Sequence, residues 1–375
     1  MWRKLFGLVR TLDGALLTFT LLLVGVGLAE LYSSSLVRPE LYPLFWRQLF
    51  GFVLGGAAML VAAAVDYRTY RSWSRLTYFT ALVLLAAVLI FGQTIRGTTG
   101  WFRVFGIGLQ PIELVKFMWV IALASYLTHV GPPLDGKKTI AATTLLIPLL
   151  ALVLMQPDFG SGFLLIISYM ALLMAVPKPK RWWFVMLGLM VSAGLVGALF
   201  LKDYQRDRLQ NFFSPQTDPL NSGYNVAQSV VAVGAGGLWG RGLGLGTQSQ
   251  LKFLPEQHTD FIFASLAEEL GLVGSVLILG LWVGFLGRIV WLVRRLRDDF
   301  AVLLAVGFFS LFAVQAALNI GMNIGLAPVV GITLPFVSFG SSSLVASMIA
   351  AGIIQNLARN FGHQAPHESI GRIDR

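Results

Sequence analysis

The sequence contains no cysteine among its 375 residues. Disulfides, thiolate catalysis and cysteine metal sites are therefore excluded. Charged residues are also scarce, at 12% of the chain, which is about half the share found in soluble domains. Hydrophobic residues make up 56%, and the mean hydropathy is +0.74. This composition predicts an all-α polytopic membrane protein rather than one or two soluble domains.

Ten apolar segments each have about the twenty residues that a helix needs to cross the hydrocarbon core. They are centred near residues 15–33, 48–65, 76–92, 111–128, 139–155, 159–176, 182–201, 261–286, 301–324 and 341–358. The first lacks a small-residue cleavage site, which indicates a retained helix. No linker is long enough to separate domains. We expect one membrane domain over residues 1–375, with a large structured extracellular loop at residues 202–260.

The net charge of +10 could suggest a nucleic-acid partner, but its distribution argues against one. With the N-terminus inside, the Lys and Arg clusters fall on the cytoplasmic side of the spans, as the positive-inside rule requires. Most of the surplus positive charge therefore sets the orientation of the chain in the membrane and attracts lipid headgroups. This orientation predicts that both termini are cytoplasmic. It also predicts that segments 33–48, 93–110, 202–260 and 325–340 lie outside.

Asp260 is the leading catalytic candidate. It lies in LKFLPEQHTDFIFASLAEELG, residues 251–271, where the polar loop gives way to the apolar eighth span. A carboxylate at that boundary contacts both water and lipid-borne material. The alternative is an interfacial helix cap, a role that Asp often has. Glu256 is the nearest other carboxylate.

Charged residues inside spans are costly, and each needs a reason. Glu113 and Lys116 lie three residues apart near the outer end of the fourth span, so their side chains can meet on one helix face. Either the pair fixes helix packing, or Lys116 offers an ammonium to a polyanionic headgroup while Glu113 holds it in place. Arg47, opening the second span, repeats the pattern. Asp158, in QPDFG, is more typical of capping or turn formation.

The run GAGGLWGRGLGLGTQ, residues 234–248, resembles a phosphate-cradling loop only superficially. It lacks the preceding strand and the Gly-Lys-Ser/Thr ending of a nucleotide-binding loop. We expect a re-entrant or close-packed loop, because glycines let backbone approach backbone or ligand.

Four segments carry a family resemblance that covers nearly the whole chain in order: QPIELVK, QPDFGSG, FLPEQHTDFIFASLAEELG and NIGMNIGLAPVVGITLPFVSFGSSSL. They resemble the successive signatures of the SEDS family, the shape, elongation, division and sporulation proteins. The HTDFIFA segment is highly specific. FLPEQHTD, NIGM and the absence of long cytoplasmic extensions make the chain more similar to the elongation members than to the division members. GTTGWFRV, residues 97–104, departs from the more basic stretch that the family often has there.

The resemblance implies a peptidoglycan glycosyltransferase that polymerises lipid II at the outer face of the bacterial cytoplasmic membrane. Transfer from an undecaprenyl-diphosphate donor to the 4-hydroxyl of N-acetylglucosamine inverts the configuration at the anomeric carbon of the donor sugar. A single displacement therefore needs only one general base, and Asp260 would be that base. The implied partner is a class B penicillin-binding protein, a transpeptidase, with other membrane proteins of the elongation complex. We expect its interface on the eighth and ninth spans and the adjoining outer loops.

Outer cations would hold the diphosphate, and the candidates are Arg47, Lys116, Arg206, Arg208, Arg241 and Lys252. Arg206 and Arg208 could equally form an interfacial helix face. His258 could orient or tune Asp260, or have a cap or surface role. Trp101 could stack on a sugar or belong to the aromatic belt. A divalent cation, Mg²⁺ or Mn²⁺, could bind the diphosphate, although the sequence has no dedicated metal-ligand spacing.

Three other functions stay open at this stage. The Glu113 and Lys116 pair would also serve a lipid II flippase. A secondary transporter would have broken helices in two related halves, and the sequence has no such symmetry. A non-catalytic scaffold for cell-wall enzymes would leave Asp260 without a reason to lie at a junction of loop and helix. The polymerase is the favoured hypothesis.

Overall fold

The computed structural model describes residues 11–95, 97–104, 107–179, 222–250, 253–254 and 256–360, together with residues 182, 184 and 188. Its helices confirm the predicted all-α membrane fold. In chain order they are α1 (Gly14–Val37), α2 (Tyr42–Ala64), α3 (Tyr67–Ser72), α4 (Ser74–Phe91), α5 (Pro111–Val130), α6 (Gly136–Met155), α7 (Phe159–Ala175), α8 (Ser222–Ala235), α9 (Thr247–Gln250), α10 (Ile262–Val293), α11 (Asp299–Asn323) and α12 (Ser341–Asn360).

Within those residues, eight helices are long and apolar enough to cross a membrane: α1, α2 with the 3₁₀ turn before it, α4, α5, α6, α10, α11 and α12. The apolar α7 is shorter, with 17 residues. Together they match nine of the ten predicted spans. The seventh predicted span, at residues 182–201, lies outside the continuously described residues. The chain is thus an integral membrane protein.

Helices α2 and α12 pack through small residues, which lets their backbones approach closely. A Cβ added at Gly352 would overlap the main-chain carbonyl oxygen of Met59. A Cβ at Gly51 would lie 3.2 Å from Ser341, where α12 begins. The start of α12 is therefore held against the first turns of α2.

Aromatic side chains fill the centre of the bundle. Phe312 of α11 stacks on Phe336 with ring centroids 5.3 Å apart, and Phe285 of α10 contacts both rings edge-on at the same distance. Phe336 belongs to the non-helical segment before α12 and has a positive φ of 65°. The aromatic cluster thus fastens that segment to α10 and α11.

A three-stranded antiparallel sheet follows α4, and the all-helical expectation did not include it. Its strands are β1 (Gln93–Ile95), β2 (Thr98–Val104) and β3 (Ile107–Leu109), in the order β1-β2-β3. β2 is rich in Thr, Trp, Phe and Val, which favour strands. Gly97, with φ of 81°, supplies the turn between β1 and β2. The sheet directly precedes α5, which begins two residues after β3 ends.

The glycine run between α8 and α9 is a close-packed loop, as predicted. Helix α10 is kinked at Gly271, where φ is 67°. The loop pairs with the chain on both sides of this kink: the Arg241 amide donates to the Glu268 carbonyl at 3.0 Å, and the Leu272 amide donates to the Gly237 carbonyl at 2.9 Å. A Cβ at Gly240 would overlap the carbonyl oxygen of Glu269. Main-chain groups freed by the kink are therefore satisfied within the protein.

Replacing Gly352 tests the contact between α2 and α12. Gly352→Ala should lower stability by roughly 1–3 kcal/mol, because the new methyl group must push the two backbones apart. Thermal melting in detergent measures the loss. Gly25→Ala is the matched control: it is also a glycine in a spanning helix, and an added Cβ there meets nothing within 4 Å. Equal melting temperatures for the two variants would contradict the close contact.

Candidate functional site

A cavity of about 450 Å³ lies at one end of the bundle, which we call the cavity end. Its walls are the small sheet, the turn between α6 and α7, the residues just before α10, and the segment 328–343 that leads into α12. Five of the predicted site residues line it, Arg47, Trp101, Glu113, Lys116 and Asp260, and Asp158 lines it as well. The structure therefore brings together residues from widely separated parts of the sequence.

Asp260 lies in the cavity wall and is partly exposed. The residue at the N-cap of α10 is Phe261, without a side-chain cap bond. Asp260 lies one residue before that N-cap. Glu256, one turn earlier, is not among the lining residues.

Hydrogen bonds from elements far away in sequence fix the main chain around Asp260. The carbonyl oxygens of His258, Thr259 and Asp260 each accept a hydrogen bond from α11 or from the segment before α12. The donors, in that order, are the Phe339 amide at 2.7 Å, the Ser338 hydroxyl at 2.6 Å, and the side-chain amides of Asn319 and Asn323, both at 2.9 Å. Sequence reasoning missed these donors. The two asparagines could have been found, because a polar residue recurs every four positions along the apolar span, at Gln315, Asn319 and Asn323.

Glu113 and Lys116 form the predicted ion pair, with 3.0 Å between the Lys116 Nζ and the Glu113 Oε2. Pro111 occupies the first turn of α5, where its missing amide proton costs nothing. Lys116 is only 1% exposed. Its ammonium also donates to the Gln315 Oε1 at 3.2 Å, a partner from α11 that the sequence did not predict. The pair therefore joins α5 to α11 while lining the cavity.

Asp158 caps α7, as predicted. Its two oxygens accept from the Ser161 amide at 3.0 Å and the Ser161 hydroxyl at 2.7 Å. Burial raises the pKa of the Asp158 carboxyl above its usual range, and the Ser161 hydrogen bonds and the charge of Lys116 offset this only in part. Because both oxygens already bind Ser161, this carboxyl is held as part of the wall.

Among the helices that the structure describes, five begin at the cavity end: α2, α5, α7, α10 and α12. A helix N-terminus carries partial positive charge and unpaired amide groups, which favour anions. Ser341, Ser342 and Ser343 open α12 in the cavity wall, and the Ser342 Oγ accepts from the Gln110 amide at 3.1 Å. With Arg47 and Lys116 nearby, the cavity is suited to an anionic group.

Trp101 lies on β2 and lines the cavity, half-buried. Its ring lies against the backbone of β3: a Cβ added at Gly108 would come within 3.2 Å of the Trp101 ring. Gly108 therefore gives the ring its place in the wall. The stacking of Trp101 on a sugar stays a prediction.

His258 and Arg241 do not line the cavity. His258 is buried, so its surface alternative is wrong, and its Nδ1 lies 3.2 Å from the Glu30 Oε1. Arg241 is exposed, and its Nε donates to the Ala235 carbonyl at 3.2 Å. The remaining cationic candidates, Arg206, Arg208 and Lys252, lie outside the described residues.

Metal ligands are not clustered in the part of the chain that the structure describes. No group of three or more His, Asp or Glu side chains there is arranged to hold an ion. A divalent cation brought in by a ligand's own oxygens stays a prediction.

The fold and the site together define a polytopic integral membrane protein with a polar cavity, lined by both cations and carboxylates, at one end of its helix bundle. A family model of cell cycle proteins, named for FtsW, RodA and SpoVE, matches residues 14–363. The chain belongs to this family, which is the SEDS family that the sequence motifs indicated.

Curated relatives resemble the chain over most of its length. It is 36% identical to the probable peptidoglycan glycosyltransferase FtsW of Coxiella burnetii, over 92% of this chain and 96% of that protein. It is 37% identical to the stage V sporulation protein E of Bacillus subtilis, over 92% and 97%. It is 36% identical to the peptidoglycan glycosyltransferase MrdB of Escherichia coli, over 83% and 84%.

Solved structures show the same fold. A chain from the structure described as "Structural coordination of polymerization and crosslinking by a peptidoglycan synthase complex" has a TM-score of 0.81 and 28% identity, covering 94% of this chain and 99% of that one. The rod shape determining protein RodA of Thermus thermophilus has a TM-score of 0.67 and 27% identity, over 93% and 97%.

Breaking the buried ion pair should destabilise the protein. Lys116→Ala leaves the Glu113 carboxylate uncompensated and should cost about 3–5 kcal/mol, as broken buried pairs do. The double replacement Glu113→Gln with Lys116→Met removes both charges and should recover most of that loss. Thermal melts in detergent compare the three proteins. A Lys116→Ala variant that melts at the wild-type temperature would contradict the burial of the pair.

Proposed function

We propose that the chain is a peptidoglycan glycosyltransferase that polymerises lipid II into glycan strands during cell elongation. The single observation that carries this proposal is the cavity, in which Asp260 shares a wall with Arg47 and the Glu113–Lys116 pair. Two of the most similar relatives are named peptidoglycan glycosyltransferases. The elongation role rests on the RodA-like motifs of the sequence.

The proposed reaction is a single inverting displacement. The 4-hydroxyl of a terminal N-acetylglucosamine attacks the anomeric carbon of the donor sugar, and the bond from that carbon to the diphosphate oxygen breaks. The electron pair leaves with undecaprenyl diphosphate. Asp260 accepts the hydroxyl proton, and general-base assistance of this kind contributes about a hundred- to ten-thousand-fold in rate. Diphosphate is already a good leaving group, so its departure needs positive charge more than a proton.

The cations and helix termini of the cavity would supply that positive charge. Arg47 and Lys116 come from α2 and α5, and the first residues of α12 line the same space. Fixed charges of this kind stabilise a transition state without having to reorganise. A divalent cation on the diphosphate would add to them.

The positive-inside rule supports an orientation with the cavity end outside. Lys137 and Lys138 begin α6 at the opposite end of the bundle, and Arg288, Arg294 and Arg295 lie at the far end of α10. Basic residues favour the cytoplasmic side. We therefore propose that both termini are cytoplasmic and that the cavity opens at the outer face of the bacterial cytoplasmic membrane.

The proposed partner is a class B penicillin-binding protein, since a similar chain comes from a complex that coordinates polymerisation with crosslinking. Ala301, Ala305 and Ala316 of α11 are small enough to let a neighbouring helix approach closely, but they are buried within the chain. The face of α10 around Val276 and Val283 is instead exposed. We propose that the transpeptidase's membrane helix packs there.

Replacing the base tests the proposed function. Asp260→Asn keeps the size and hydrogen bonding of the side chain but removes its basicity, so it should slow polymerisation by at least about a hundredfold. Expression and lipid II binding should stay near normal. Glu256→Gln is the matched control and should keep substantial activity, because Glu256 does not line the cavity. Polymerisation by Asp260→Asn at more than roughly a tenth of the wild-type rate would rule out the general-base role.

The charge-free double variant of the ion pair separates substrate binding from stability. Glu113→Gln with Lys116→Met should melt near the wild-type temperature, yet it should require a higher lipid II concentration for half-maximal rate. Kinetics at several lipid II concentrations measure that requirement. If the requirement stays at the wild-type level, Lys116 has only a structural role.

Site-specific crosslinking tests the partner surface. A photoreactive amino acid at Val276 or Val283 should crosslink to the membrane helix of the transpeptidase. The same probe at Phe79 of α4 is the control, since it is exposed on another face. Crosslinks confined to α1, α2 and α4 would overturn the proposed interface.

A further inference from the structure

Helix α11 carries three buried amide side chains on one face. Gln315, Asn319 and Asn323 are spaced four residues apart, and their exposed fractions are 2%, 0% and 0%. Polar side chains inside a membrane protein are costly unless they have partners, and they often mark function. Their partners here are main-chain or charged groups of the cavity wall.

Two of the amides hold the main chain of Asp260. The Asn319 and Asn323 Nδ2 atoms both donate to the Asp260 carbonyl at 2.9 Å. The Asn323 Oδ1 accepts from the Ala264 amide at 2.8 Å, so one side chain holds the chain on both sides of the start of α10. The Asn319 Nδ2 also donates to the Ile332 carbonyl at 2.8 Å, which ties the opposite wall to the same helix.

The third amide holds the lysine. The Gln315 Oε1 accepts from the Lys116 ammonium at 3.2 Å, and its Nε2 donates to the Thr333 carbonyl at 3.1 Å. The two residues that hold the Asp260 main chain are therefore four and eight residues from the residue that holds the cation, on one helix. At 1.5 Å per residue these are separations of about 6 Å and about 12 Å along a rigid element.

We propose that Gln315, Asn319 and Asn323 are positioning residues that set the distance between the Asp260 carboxylate and the Lys116 ammonium. The proposal rests on the proposed function of the cavity. The two asparagines fix the loop from which the base reaches the acceptor hydroxyl. Gln315 fixes the ammonium that meets the diphosphate. Misplacement of a reacting group by about 1 Å can cost roughly a hundredfold in rate, so the ladder of amides has a direct kinetic consequence.

The two ends of the ladder should therefore have different kinetic signatures. Asn319→Ala and Asn323→Ala should lower kcat by about ten- to a hundredfold and leave KM for lipid II within about threefold. Gln315→Ala should instead raise KM by about tenfold, because it removes a hydrogen bond to a charged group that binds substrate. Asn323→Asp keeps the acceptor for the Ala264 amide and loses the donor to Asp260, so it serves if the alanine variant does not fold.

Asn356 of α12 is the matched control. It is fully buried, its Nδ2 donates to the Ala63 carbonyl at 2.9 Å, and its Oδ1 accepts from the Tyr67 amide at 2.9 Å. It does not line the cavity. Asn356→Ala should lower the melting temperature as Asn319→Ala does, while kcat and KM of the folded enzyme stay within about threefold.

The experiment measures lipid II consumption by the purified full chain and its variants, with melting curves for each. The expected result is the split between kcat and KM, with Asn356→Ala near wild type. Asn319→Ala and Asn323→Ala variants that are folded and keep wild-type kcat would overturn the proposal. Wild-type polymerisation together with an inactive Asp260→Asn variant shows that the proposed function still holds in that event. An inactive wild type, or an active Asp260→Asn variant, would count against the proposed function itself.

Discussion

Main chain that leaves the helical conformation inside an apolar bundle must find its hydrogen-bond partners within the protein, because hydrocarbon supplies none. The cavity depends on this constraint. The segment before α12 is non-helical, and Gln48 satisfies it from α2 by donating to the Ser338 carbonyl at 3.1 Å and accepting from the Gly340 amide at 3.0 Å. The Ser338 hydroxyl in turn accepts from the Leu334 amide and donates to the Thr259 carbonyl. Irregular backbone is thus stable here because buried amides and hydroxyls surround it.

The same arrangement gives the cavity its charge. Helices that start at the cavity end direct their amide groups towards it, and the bundle adds Arg47 and the Glu113–Lys116 pair. A lysine that is 1% exposed needs a compensating partner, and Glu113 provides it without leaving the wall. The same residues therefore stabilise the bundle and set the charge of the cavity. A variant that removes a single charge changes both the stability of the protein and the charge of the cavity.

The sequence predicted the membrane class, nine spans in the described part of the chain, the ion pair at positions 113 and 116, and the cap at Asp158. These follow from local rules: hydrophobic length, i,i+3 spacing and the turn propensity of Asp. It did not predict the small sheet, because three short strands are a weak signal beside helices of twenty residues. The amides of α11 were also missed, since their partners lie in segments far away in sequence. Contacts of that kind depend on the packing of the whole bundle.

Glycosyl transfer in the cavity, rather than lipid transport or scaffolding, is the function that we propose. Purified chain in detergent, given labelled lipid II, has no bilayer across which to move it. We expect a ladder of glycan polymers resolved by gel electrophoresis, formed by the chain alone or with the proposed transpeptidase partner. Intact lipid II after prolonged incubation with both proteins, together with lipid II translocation by the same chain in sealed vesicles, would contradict the proposal.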